Sequence, residues 1–209
     1  MSKRAALTLS LAIAFPLLAY ANQVSFRNAG GTISASGNSL SLTGSMLIGL
    51  AGFNGAGFTG NLGSLSLTTG TLLSGSLAAG GTFAAGGSFV AVSNGSGGLP
   101  GGVLFQGTFT SPVTWTAIWN PAGGPRHSGN WTYKLSGVVT GTFSTGQKVS
   151  AQFVAYTFDV PNGAQFSSSV RFDHGVAALV APEPATMGLL GTGLVGLAAV
   201  GLRKRRKRV

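Results

Sequence analysis

The chain is 209 residues long, with 13 Lys or Arg against 3 Asp or Glu, 35 Gly and no Cys. Charged residues are only 8% of it, against roughly 25% in an ordinary soluble domain. That scarcity argues against most hydrolytic and phosphoryl-transfer enzymes, and the missing Cys excludes a disulfide framework, a thiolate zinc site and a cysteine nucleophile.

Residues 1–21 read as a secretory signal peptide. Lys3 and Arg4 supply the positive start, and Ala5 to Leu18 the apolar stretch. Ala19-Tyr20-Ala21 is a small-x-small cleavage site, so the mature chain is expected to begin at Asn22. The apolar stretch is too short for a comfortable membrane span, which needs about 20 residues. The Sec machinery and signal peptidase are the partners such a segment requires.

The body, residues 22–181, is long enough to bury about two-thirds of its unfolded surface. From Asn28 to Gly124 it holds no charged residue, and Gly, Ser, Thr and Ala dominate. Short motifs recur there. Ser39-Leu40-Ser41-Leu42-Thr43 returns as Ser64-Leu65-Ser66-Leu67-Thr68, and Gly80-Gly81-Thr82-Phe83 as Gly86-Gly87-Ser88-Phe89. Gly107-Thr108-Phe109 returns as Gly141-Thr142-Phe143. Their uneven spacing suits short strands with Gly turns and not a solenoid of fixed period.

From Ser111 onward the alternation is strong. Val113, Trp115, Ala117 and Trp119 fall on one face of a strand; Trp131, Tyr133, Leu135, Gly137 and Val139 fall on one face of another. Val149, Ala151 and Phe153 are followed by Val154, Tyr156 and Phe158, so both faces of that stretch should be partly covered. Period-two patterning with Thr, Val and aromatics predicts half-buried antiparallel strands. Asn120 to Pro125, Ser144 to Gln147 and Pro161 to Gly163 are turn candidates. The expected body is all-β, an antiparallel β-sandwich or jelly-roll-like fold.

Chemistry within the body is sparse. Asp159 and Asp173 are its only carboxylates, and nothing in their spacing places them together. Asp173, His174 and His127 form no metal-ligand spacing motif. No nucleophile elbow and no phosphate loop is present. No catalytic residue, metal or cofactor is therefore expected, and the body is read as non-enzymatic. Trp115, Trp119, Trp131 and Tyr133 are the candidate sugar contacts, because aromatic faces stack on sugar rings. The competing role for the same four residues is core packing and cross-strand pairing.

The tail, residues 182–209, has three parts. Pro182-Glu183-Pro184 cannot continue a regular helix and holds the chain extended. Met187 to Leu202 is uncharged and apolar, and with Ala185-Thr186 makes about 18 residues, or roughly 27 Å of helix. Arg203, Lys204, Arg205, Arg206, Lys207 and Arg208 follow. That basic run is expected to stay in the cytoplasm. With a cleaved leader, the body then lies beyond the inner membrane.

The basic ends also explain the formal charge of +10. Between them stand Arg27, Arg126, Lys134, Lys148 and Arg171 against Asp159, Asp173 and Glu183, a net of +2. Nucleic-acid binding needs clustered cations on the folded body, so it is not expected.

The ordered combination of Pro182-Glu183-Pro184, an apolar helix over Gly188 to Leu202 and Arg203 to Arg208 resembles the PEP-CTERM sorting signal of exopolysaccharide-producing Gram-negative bacteria. The resemblance implies recognition by an exosortase, a membrane-embedded cysteine transpeptidase, with Glu183 and its flanking prolines as the recognition element. It implies transient anchoring in the inner membrane, then cleavage near the motif and delivery of the body to the cell surface or extracellular matrix. In that setting the expected role is structural or adhesive, within exopolysaccharide or biofilm. A carbohydrate-binding surface module using Trp and Tyr is the alternative.

Overall fold

The computed structural model describes residues 24–121, 129–160 and 163–180. The leader with Ala19 and Ala21, the loop bearing Arg126 and His127, and the whole tail from Ala181, including Pro182 to Pro184 and Arg203 to Arg208, lie outside the described residues.

Twelve strands follow in order: β1 (Ser25–Ala29), β2 (Thr32–Ser36), β3 (Ser39–Phe53), β4 (Ala56–Thr68), β5 (Leu72–Ser76), β6 (Gly80–Phe83), β7 (Gly86–Ser93), β8 (Gly102–Phe109), β9 (Val113–Asn120), β10 (Asn130–Phe143), β11 (Lys148–Thr157) and β12 (Ser169–Val180). A single turn of 3-10 helix, Ser96–Gly98, lies between β7 and β8. Every strand pairing is antiparallel, as the alternation predicts.

The arrangement is not the expected sandwich or jelly roll. β1 and β2 run end to end, both lying between β12 and β3. From β3 the pairing passes through β4, β7, β8, β10 and β11, and β11 returns to β12. The circuit closes, so one barrel replaces two stacked sheets. Closure removes the free edges that a sandwich leaves. The first half of β10 carries a branch. Where β8 ends, β9 takes its place beside β10, and β6 and β5 extend outward from β9.

Side-chain volume fills the barrel, as expected for a ring of this size. Phe26, Phe89, Phe105, Phe109, Phe143 and Phe153 form one aromatic cluster with ring centroids 5.2 to 6.5 Å apart. Leu40, Leu42, Leu65 and Leu67 are buried beside them. The outer face carries hydroxyls that pair across strands, including Thr140 to Ser150 at 2.8 Å and Thr114 to Ser136 at 2.6 Å. Apolar inside and polar outside is the inverse of the pattern in membrane-spanning barrels.

Two of the three repeated motif pairs turn out to be strand partners, while Gly80 to Phe83 and Gly86 to Phe89 lie on β6 and β7, which do not pair. In the first pair, Leu42 faces Leu67 and Ser41 faces Thr68 across β3 and β4. In the third pair, Gly107 faces Gly141 across β8 and β10. A Cβ on Gly107 would lie 2.6 Å from the Thr140 carbonyl oxygen and 2.9 Å from Cα of Gly141. Glycine at both positions is what lets these two strands approach, while Phe109 and Phe143 two residues on fill the interior.

Candidate functional site

β9 and β10 present one ladder of aromatic residues whose two ends differ. At the inner end, Trp115 and Tyr133 stack at 4.8 Å and 12°, with Phe166 set edge-on to both. Trp115 Nε1 donates to the Leu77 carbonyl at 2.8 Å, and the Tyr133 hydroxyl donates to the Ala78 carbonyl at 2.8 Å. The backbone N–H of Phe166 donates to that same hydroxyl at 2.7 Å. Burial pushes the Tyr133 phenol above its ordinary 10.0, and the Phe166 hydrogen bond offsets part of the rise. Trp115 and Tyr133 therefore clasp the β5–β6 turn and are core. They are not available as sugar contacts, since Trp115 is 2% exposed and Tyr133 fully buried.

At the outer end the same face emerges into solvent. Trp119 lies directly opposite Trp131 across the ladder. Their rings sit 5.1 Å apart at 55°, and Trp119 is 44% exposed. With Gly163 and Gln165 they line a cavity of about 720 Å³. Gly129 lies beneath the Trp119 ring: a Cβ there would come within 2.5 and 2.8 Å of two ring carbons. The Gly129 carbonyl also accepts from the Gly163 N–H at 2.9 Å, which ties the two walls of the cavity together. Two of the four sequence candidates thus converge on one open aromatic corner.

A second feature escaped the sequence reading. On the outer face, around the junction of β10, β11 and β12, a cleft of about 700 Å³ is lined by Tyr156, Phe158, Asp159, Arg171, Asp173 and His174, among others. Asp159 and Asp173, which no spacing rule connects, lie in this one cleft. Antiparallel register brings them there, because Tyr156 faces His174 across β11 and β12. Asp159 accepts from Thr132 Oγ1 at 2.9 Å and from Asn130 Nδ2 at 3.3 Å. Asn120 Nδ2 donates in turn to Thr132 Oγ1. Asp173 Oδ2 lies 2.8 Å from Nδ1 of His174, whose ring stacks on Tyr156 at 5.3 Å. The signal that could have found the cleft is symmetry about the β11–β12 connection. Residues equally far from such a turn become neighbours on the sheet.

Among the described residues, no group of three His, Cys, Asp or Glu is close enough to hold a metal ion. No helix among them is long and apolar enough to cross a membrane.

The fold and its surfaces define an antiparallel β-barrel protein with an exposed tryptophan corner. Residues 180–206 match the family described as the PEP-CTERM protein-sorting motif. The chain thus carries this motif in its tail, and the motif implies export, a membrane-anchored sorting signal and exosortase as processing partner. No curated protein and no solved structure matches the chain.

Proposed function

We propose that the body is an exported, non-enzymatic surface or matrix protein that adheres to polysaccharide through the Trp119–Trp131 corner. The observation that carries this reading is an exposed Trp119 backed by a half-buried Trp131, on the same ladder that buries Trp115. Leaving the Trp119 indole 44% exposed forgoes about 1 kcal/mol of the burial a core position would supply. Sugar rings present C–H faces to aromatic planes, and the tilt of the two indoles suits a chain that bends past a corner. The Gln165 side chain stands beside them as a hydroxyl partner.

The reading extends to an extracellular matrix or biofilm setting with exopolysaccharide as the ligand, and the sorting motif together with this corner is what supports it. Affinity electrophoresis of the full chain through gels containing hydroxyethyl cellulose, a neutral glucan, tests the adhesive role. The wild type should be retarded, and a W119A/W131A variant should migrate as in gels without glucan. Equal retardation of both proteins would overturn the reading. Processing is tested separately by intact mass from cells with and without exosortase. Loss of the segment after Pro184 only when the enzyme is present is the expected result.

A further inference from the structure

The outer-face cleft is chemically unlike the tryptophan corner. The described body holds few charges, yet Lys134, Asp159, Arg171 and Asp173 gather at this one junction together with His174. Both carboxylates already have neighbouring donors, Thr132 and Asn130 for Asp159 and His174 for Asp173. Arg171 does not fit that scheme. Its guanidinium carbon lies 5.0 Å from the centroid of the Phe158 ring. Among the described residues its side chain makes no ion pair and no hydrogen bond. A guanidinium supported by an aromatic ring keeps its fork of N–H donors for a planar anion, and the partner it fits best is a carboxylate held by two parallel bonds.

The rest of the cleft narrows the choice of anion. Tyr156 stacked on His174 makes a flat surface beside Arg171, with the Lys134 ammonium 6.0 Å from the Tyr156 ring centroid. Phe158 is 43% exposed and extends the apolar floor. Asp159, Asp173 and Thr132 are acceptors suited to hydroxyl donors. Those same two carboxylates repel a densely charged phosphate or sulfate polymer. A sugar ring with one carboxylate and several hydroxyls matches the whole set.

We propose that the cleft formed by Arg171, Phe158, Tyr156, His174, Asp159 and Asp173 is a second ligand site, distinct from the Trp119–Trp131 corner, that takes a uronate unit of an acidic polysaccharide. Arg171 reads the carboxylate, the exposed Phe158 ring carries the sugar face with the edge of the Tyr156–His174 stack beside it, and Asp159 and Asp173 accept from ring hydroxyls. The site goes beyond the adhesive reading and stands without it.

The test is titration of the full chain, purified in detergent, with polygalacturonate, with its methyl ester, and with the cationic polymer chitosan. Wild-type protein should bind polygalacturonate, and esterification should weaken binding by about tenfold, the size of one charge-assisted contact. R171Q should lose a similar factor, and R171K should recover only part of it, because lysine keeps the charge without the fork. W119A/W131A should bind polygalacturonate like the wild type while losing the neutral glucan, which separates failure of this site from failure of the corner. Several results would overturn the proposal: no binding of polygalacturonate, equal binding of the acid and its ester, tighter binding of chitosan, or wild-type affinity in R171Q. Arg203 to Arg208 also attract a polyanion, so acid and ester are compared in a full chain with Gln at those six positions, where the difference reports on the cleft even if R171Q fails to fold.

Discussion

Two aromatic pairs sit on one face of the β9–β10 ladder and have opposite fates. Trp115 and Tyr133 are sealed beneath the β5–β6 turn and Phe166, with every polar atom bonded. At the outer end of the same face Trp119 has no such roof, and Trp131 beside it is only half-buried. The strands are the same, the alternation is the same and the residue types nearly so. What differs is whether another segment crosses over. Burial along a strand is thus decided by what covers it, and a sheet face can change from core to exposed surface within four residues of β9.

The sharpest break of this comparison is Trp115→Ala. It empties a packed site and orphans the Leu77 carbonyl, so a loss of about 3–5 kcal/mol is expected in denaturant unfolding. Tyr133→Phe keeps the ring but leaves the Ala78 carbonyl and the Phe166 N–H without their shared partner. A loss of about 1–3 kcal/mol is expected. The same hydroxyl sets a pH dependence. Its folded-state pKa lies above the ordinary 10.0, so its stabilising share is intact below pH 10. That share falls as pH rises further, because the unfolded chain ionises first. Melting curves of wild type and Tyr133→Phe should therefore converge at alkaline pH.

At the outer end the expected effects on stability are small and those on binding large. Gly129→Ala pushes a methyl into the Trp119 ring and should weaken glucan binding in affinity electrophoresis while leaving the Trp115 cluster intact. Trp119→Ala should cost about 1 kcal/mol of unfolding free energy, well below Trp115→Ala, because the ring is nearly half exposed and packs mainly on Trp131.

Much of the fold was legible because its signals are local. The alternation at Val113 to Trp119 and Trp131 to Val139 named the strands and their inward faces correctly. Ser144 to Gln147 is the β10–β11 turn, with Gly146 at a φ of 84°. The short repeats were seen as strands, although the mutual pairing of the first and third was not. Pairing of Gly107 with Gly141 reaches across the whole of β9, and no local pattern encodes it. Closure of the barrel was illegible for the same reason. It depends on β11 finding β12 at its second edge, whereas a stacked pair of sheets would bury an identical alternation.

Site residues divide along the same line. Trp119 and Trp115 carry the same signal in the sequence, and only the β5–β6 turn separates them. Asp159 and Asp173 carried no signal at all until register set Tyr156 beside His174. Arg171 and Phe158 were read only as charge and alternation.

We propose that one ladder holds a structural pair and a binding pair. It is tested most directly by iodide quenching of tryptophan fluorescence, with and without the neutral glucan. A W119F/W131F protein, which retains only Trp115, should resist iodide and ignore the glucan. A W115F protein, which retains Trp119 and Trp131, should be quenched readily and be protected when glucan is added. Quenching of Trp115, or a rim pair that glucan fails to protect, would contradict the account.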